Sequence, residues 1–346
     1  MSDVIKRGAE QDDMSMLSST LQQDITFTGL DPWLSFISQV YSYETVRFTV
    51  GSQRTTGVLS MAQIAHPLFG KYLLSAPFGS YGGFAFETVQ DRNNLLLQAE
   101  QFVRDRKLDY ALVRFKECEG APPETWKQQA LYRTYITDIS VGEDALMRSF
   151  SSNHRNHIRK SAKRGFTIRF GGLEILDDAY EGLSLGMHEL GSPWHGKNYI
   201  RAMAVSLGES LRFAVVYDTA KVVAGAGIFV TQDKTVTNLY ANVSRKYRAV
   251  HVGEFFYWSV IQHYYSLGML EFDMGRSLIG SGNEVFKMKW NPRISPLAYW
   301  YHLGTAKEVP HLNQNNAKFQ AAIWLWKRLP KKVVRALGPH IIRGIA

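Results

Sequence analysis

The sequence predicts an α/β (α+β) protein made of two tandem domains, each a mixed sheet flanked by helices. Three observations carry that prediction. The chain has 346 residues, more than one ordinary core needs and comfortable for two. Apolar residues make up 45% and charged residues 21%, the balance of a globular protein. Strand-type runs alternate with stretches of helical spacing in both halves.

Residues 1–28 are polar and aperiodic and read as a loose arm. The first domain is expected over 29–145, the second over 146–310, and a basic amphipathic segment over 311–346. In the first domain, Asp31-Pro32-Trp33 opens a short helix. Glu44–Val50 and Thr55–Ala62 form a hairpin through Gly51-Ser52-Gln53-Arg54, and Lys71–Ser75 is a third strand. Leu95, Leu96, Ala99, Phe102 and Val103 put a helix over Val89–Lys107. Strands follow at Leu108–Phe115 and, after the breaker Ala121-Pro122-Pro123, at Leu131–Ile139.

The second domain is patterned more sharply. Phe166–Phe170 is a strand, and Leu173–Leu190 and Asn198–Leu207 are helices. Leu211–Tyr217 and Lys221–Val230 form a hairpin, with Thr235–Asn242 as a third strand. Gly253–Leu267 is a helix closed by Gly268. A short strand at Leu270–Asp273, a helix at Ser281–Lys289 and a strand at Leu297–His302 complete it. This is the element order of the GNAT N-acyltransferase fold, and the first domain repeats its later part without a residue-level repeat.

Bulk properties narrow the function. The single cysteine, Cys118, excludes an internal disulfide framework and suits a reducing compartment. Its neighbours Glu117 and Glu119 disfavour a thiolate. The first residues lack the apolar region of a secretory leader, and no run of roughly 18 apolar residues occurs, so a cytoplasmic location is expected. Forty Lys+Arg against 31 Asp+Glu give +9, which favours anionic partners without choosing among phosphates, nucleic acid and a membrane face.

Four segments carry candidate chemistry. Ser152–Gly165 reads as a helix capped by Ser152 or Asn153, with Arg155, Arg159 and Lys163 on one face and Lys160 and Arg164 beside them. Such a face either binds a polyanion or is simply solvated. Asp273–Asn283, which includes Arg276, reads as a strand end and a Gly-rich loop whose N–H groups could hold an oxyanion; ordinary turn glycines explain it equally well. In Phe286-Lys287-Met288-Lys289-Trp290 the two lysines point in different directions on a helix, so one can face a site and stabilise a tetrahedral oxyanion. Pro77–Gly83 places three glycines around Tyr81, a turn or a tight approach to a ligand. No nucleophile elbow is present. His154, His157, His188 and His195 lack a carboxylate or thiol set in the sequence, so no metal site is expected.

These residues resemble the FemAB family of peptidyltransferases, which add amino acids from aminoacyl-tRNA to peptidoglycan precursors. The resemblance lies in PFGSYGG (77–83), RNHIRKSAKRGF (155–166), DMGRSLIGSGNEVFKMKW (273–290) and LPKKVVRALGPHIIR (329–343), and it is nearest the FemAB-like branch found with exosortase (PEP-CTERM) and exopolysaccharide loci. It implies two GNAT-like folds. It implies a Phe286-Lys287 pair near the reacting carbonyl, and Arg155, Arg159, Tyr81 and Tyr240 as contacts for a phosphorylated or lipid-linked envelope precursor.

Two features depart from the related patterns. No helical-hairpin insertion toward tRNA is evident. The segment Arg248–Gly253 lacks the first glycine of the acyl-CoA pyrophosphate loop.

The expected reaction is therefore N-acyl or aminoacyl transfer to an amine of a cell-envelope or exopolysaccharide precursor. No cofactor is expected, and the donor is left open between aminoacyl-tRNA, acyl-CoA and acyl carrier protein. A GNAT enzyme using acyl-CoA or acyl carrier protein and a non-catalytic accessory protein of a polysaccharide locus are the alternatives. Lys287 would stabilise the oxyanion, and Asp273 or Glu254 would accept the amine proton, unless Asp273 caps the loop and Glu254 serves the helix dipole. Lys318–Arg343 mixes Trp324 and Trp326 with Lys327, Arg328, Lys331, Lys332 and Arg335; it either rests on an anionic membrane or buries its Trp face.

Overall fold

The computed structural model describes residues 6–7, 25–116, 120–310 and 317–345. Cys118 and most of the 1–28 arm lie outside the described residues. The chain packs into two units. The first comprises Met1–Tyr132, Pro296–His311 and Arg343–Ala346, the second Arg133–Ser295 and Leu312–Ile342.

The first unit contains β1 (Lys6–Arg7), α1 (Asp31–Tyr41), β2 (Glu44–Val50), β3 (Gly57–His66), β4 (Gly70–Ser75), β5 (Phe84–Phe86), α2 (Val89–Arg106) and β6 (Tyr110–Lys116). The last strand of the chain, β13 (Arg293–Leu303), pairs antiparallel with β6 from Leu297 to Leu303. The sheet order is β1-β2-β3-β4-β6-β13, with β5 on β3. Helix α2 starts at a capping box in which Thr88 and Asp91 bond each other's backbone N–H. It buries Leu95, Leu96, Ala99, Phe102 and Val103 against Phe48, Leu73, Val113 and Trp300. The turn predicted at Pro77–Gly83 packs closely against the Thr26 and Thr28 side chains. Gly82 has φ 128°, and a Cβ there would fall 1.8 Å from Thr26 Oγ1.

The second unit starts within β7 (Trp126–Asp138) and continues with α3 (Glu143–Ser149), α4 (Ser152–Ala162), β8 (Thr167–Gly171), α5 (Leu176–Leu190), α6 (Lys197–Leu207), β9 (Leu211–Tyr217), β10 (Val223–Gln232) and β11 (Thr235–Val243). After a 3-10 turn at Arg245–Val250 come α7 (Val252–Ser266), β12 (Glu271–Leu278) and α8 (Gly282–Met288). Helices α9 (Ala317–Trp326) and α10 (Lys331–Ile342) follow β13. The sheet order is β7-β12-β11-β10-β9-β8. Strands β8 to β11 are antiparallel, and β11 and β12 are parallel with α7 as the crossover. The core gathers Tyr135, Phe150, Phe229, Phe256, Tyr264, Phe272 and Trp290.

The fold is therefore mixed α/β and GNAT-like, as the element order predicts. Local expectations change in four places. Helix α4 is capped by Ser151, whose side chain accepts from His154 N–H, and not by Ser152 or Asn153. The seven-residue α3 and three-residue β5 are too short to show a periodicity. The strand expected to stop at Asp273 runs on to Leu278, because β12 has a sheet neighbour on each side. The Gly-rich loop thus shrinks to a turn before α8, and Gly275 sits inside the strand at φ 75°. The C-terminal segment resolves into two helices split at Pro330, with Trp326 buried (9% exposed) and Trp324 exposed (57%), so its two aromatic rings part company.

Candidate active site

The second unit opens where its two parallel strands separate. β11 and β12 pair at Thr235↔Glu271, Val236↔Phe272 and Thr237↔Asp273, and diverge beyond. Asn238 spans the start of the opening, donating from Nδ2 to the Tyr257 hydroxyl at 2.9 Å and to the Met274 carbonyl at 3.5 Å. Divergence removes a strand partner from the carbonyls past Asp273, and a side chain takes the role. Lys287 Nζ donates to Gly275 O at 2.8 Å and to Arg276 O at 2.9 Å. An ammonium has three N–H bonds, so one remains for a further acceptor.

Lys287 reaches this place because α8 is anchored at both ends. Ser281 caps it, accepting from Glu284 N–H at 3.3 Å. At the far end Trp290 is fully buried, and its carbonyl accepts from Thr137 Oγ1 at 3.2 Å. Glu284 accepts from the Tyr135 hydroxyl at 2.6 Å and from Gly280 N–H, and Arg133 lies 3.6 Å away. These donors hold its carboxyl below the usual range, Tyr135 contributing most. Lys287 also lies 5.6 Å above the Tyr135 ring. The predicted split of the two lysines is observed: Lys287 is buried and Lys289 exposed.

Burial, with a smaller push from Arg276 and against the opposing charge of Asp273, brings the Lys287 amine down to about 8. Asp273 is completely buried, and its Oδ1 accepts from Thr134 Oγ1 at 2.5 Å and from Gly275 N–H at 2.8 Å. It fixes the strand residue whose carbonyl holds Lys287. That is the work of a positioning group, and it leaves Asp273 poorly placed to take a proton from a substrate.

Glu254 sits elsewhere. It is buried in the first turn of α7, with His157 Nδ1 at 3.8 Å, His251 Nδ1 at 3.9 Å and Lys289 Nζ at 3.6 Å. The histidines that lack partners in the sequence thus find a carboxylate through the fold. Phe286 is next to this group: a Cβ at Gly253 would lie 3.5 Å from its ring, and Lys289 lies 5.5 Å above it.

The substrate-binding candidates separate. Arg276, on β12, offers its backbone carbonyl to Lys287. Tyr240, on β11, packs edge-on against Trp194 at 4.9 Å; burial raises its hydroxyl to about 12. Arg155 is turned back on its own chain, donating to the carbonyls of Phe150 (2.5 Å) and Arg148 (3.4 Å) at the end of α3. Arg159 and Lys160 are exposed, and among the described residues neither forms an ion pair. Tyr81 belongs to the first unit, where Thr26 and Thr28 hydroxyls hold its carbonyl and Lys116 lies 5.3 Å above its ring. Sequence reasoning missed Thr134, Tyr135, Asn238 and Ser277. Thr134 meets a partner 139 residues away. The buried Ser277 hydroxyl and Asn238 Oδ1 have no hydrogen-bond partner and lie on the two strands that part.

Residues 148–288 match the family described as "Acetyltransferase (GNAT) domain". The second unit carries a GNAT acyltransferase domain. Among solved structures, FemX is similar over 87% of this chain and 98% of its own, at 13% identity and a TM-score of 0.65. A tandem GNAT protein from the clavulanic acid biosynthesis pathway is similar over 88% and 99%, at 11% identity and a TM-score of 0.59. L-PGS from Bacillus licheniformis is similar over 93% and 99%, at 12% identity and a TM-score of 0.53. At these identities the likeness is one of fold. No curated protein matches the sequence. The chain is a GNAT-type acyltransferase with a tandem GNAT fold, and none of its described helices is long and apolar enough to cross a membrane.

Proposed function

We propose that this acyltransferase works in the FemAB manner, moving an aminoacyl or acyl group onto an amine of a cell-envelope or exopolysaccharide precursor. The observation that carries the reading is the Lys287 amine, buried and held by two carbonyls where β11 and β12 separate. The nitrogen of the acceptor attacks the donor carbonyl, and the C=O electron pair moves onto oxygen. The remaining N–H of Lys287 meets that oxygen, a contact typically worth about 3 kcal/mol in the transition state. The tetrahedral centre then collapses, and the bond to the donor's carrier breaks. The amine proton needs an acceptor, and of the two carboxylates considered Glu254 is the one free of strand-holding duty.

The region after β11 bears on the donor. A 3-10 turn replaces the usual pyrophosphate-binding loop, and the buried Glu254 already puts negative charge at the start of α7. A CoA pyrophosphate would meet like charge there, which counts against acyl-CoA bound in the usual GNAT manner. Arg159, Lys160 and Arg276 supply cations for a phosphorylated precursor, with Tyr240 as a further contact. Exposed Trp324 and Leu325 beside Lys327, Arg328, Lys331 and Lys332 suit peripheral contact with an anionic membrane, where a lipid-linked precursor would lie.

The test is to incubate purified protein with labelled aminoacyl-tRNA, acyl-CoA and acyl carrier protein in parallel, each with amine acceptors of the envelope-precursor type. Product from aminoacyl-tRNA is expected. Product from acyl-CoA alone would establish the CoA-dependent alternative. No product from any donor would leave a binding protein that has kept the fold.

A further inference from the structure

We propose that His157, His251 and Glu254 form a binding site for a divalent transition-metal ion of the zinc type. The three come from two helical elements brought together by packing of α4 on α7, and their ligand atoms all lie within 4.8 Å of one another. The spacing is informative. Each imidazole Nδ1 is 3.8 or 3.9 Å from a Glu254 oxygen, too far for a hydrogen bond. It is wider than the roughly 3.4 Å that two zinc–ligand bonds span at the tetrahedral angle, so small side-chain rotations would bring the three groups onto one ion. The two nitrogens address different carboxylate oxygens, so the carboxylate closes the set from the buried side.

The two imidazole rings stack face to face, with centroids 3.9 Å apart and planes 14° from parallel. One turn earlier on α4, His154 is buried edge-on against Phe150 and Trp290, and neither of its ring nitrogens has a hydrogen-bond partner. Two histidines and one carboxylate leave an open position for water, the ligand set of open zinc sites. Lys289 Nζ, 3.6 Å from Glu254, is the competing cation and would swing out on binding. Because the metal would occupy the carboxylate of Glu254, metal binding and proton acceptance there exclude each other.

The experiment is calorimetric titration of ZnCl2 into the untagged, chelator-treated full chain, with cobalt(II) absorption as a second readout. One zinc per chain is expected, with a tetrahedral-type cobalt spectrum. His157→Ala/His251→Ala should weaken binding beyond the ten- to hundredfold that loss of an outer-shell partner costs. Lys289→Met should tighten it several-fold by removing the competing ammonium. Circular dichroism would establish that both variants fold. Absence of stoichiometric zinc binding by the wild-type chain overturns the proposal. So does zinc binding that survives the double substitution, or that Lys289→Met leaves unchanged.

Discussion

Both units contain a parallel pair joined by a crossover helix, and the two finish differently. In the first, β4 and β6 pair at Tyr72↔Tyr110, Leu73↔Ala111 and Leu74↔Leu112. In the second, β11 and β12 pair at three positions ending in Thr237↔Asp273. One residue past the last pair stand Ser75 and Asn238; two past it stand Arg114 and Gly275. In the first unit the chain itself closes the gap. Ser75 Oγ accepts from Arg114 N–H at 2.8 Å, and Gly82 N–H donates to Arg114 O at 2.9 Å. In the second, a lysine side chain replaces that backbone donor and bonds Gly275 O. One geometry has been sealed by a serine hydroxyl and a backbone N–H whose bonds are used up within the fold. The other has been left with a movable, titratable donor.

The comparison can be broken at several points. The largest effect is expected from Asp273→Ala. It removes the acceptor of two buried donors and the counter-charge of Lys287, a loss of about 3–5 kcal/mol in chemical denaturation. Stability within about 1 kcal/mol of wild type would show that Asp273 does not hold the site. Ser75→Ala should cost about 1–3 kcal/mol by leaving Arg114 N–H without its buried acceptor. Turnover per folded molecule should stay at the wild-type value; a large fall would give the first unit a chemical part that this account denies it. The smallest effect belongs to Arg159→Gln/Lys160→Gln. Both cations are exposed and screened by salt, so KM for an anionic acceptor should rise only a few-fold, and less at high ionic strength. A change in kcat instead would move these residues from binding into the reaction.

Much of the second unit was legible because its elements are long and local. Helices α5 and α7 and strands β9 to β11 announce themselves by period and by turn residues, and the β12–α8 sequence draws attention through its glycines and paired lysines. What could not be read was long-range. Thr134 and Asp273 meet across 139 residues, and His157 finds Glu254 only because two helices pack. The glycines also misled: Gly275 permits a positive φ inside a strand, where the sequence suggested a loop. Arg155 looked like part of an anion-binding face, yet the end of α3 claims its guanidinium. A charge pattern reveals which face a side chain occupies, and the neighbouring helix end decides what that side chain bonds.

The most direct test is a pH–rate profile of wild type beside Lys287→Met, with whichever donor the wild-type enzyme uses. Lys287 must carry its proton to meet an oxyanion, so the wild-type rate should fall as pH rises through about 8. The variant should lack that falling limb and turn over roughly a hundredfold or more slowly at pH 7 while remaining folded. An unchanged rate, or a falling limb that persists in Lys287→Met, would contradict the account.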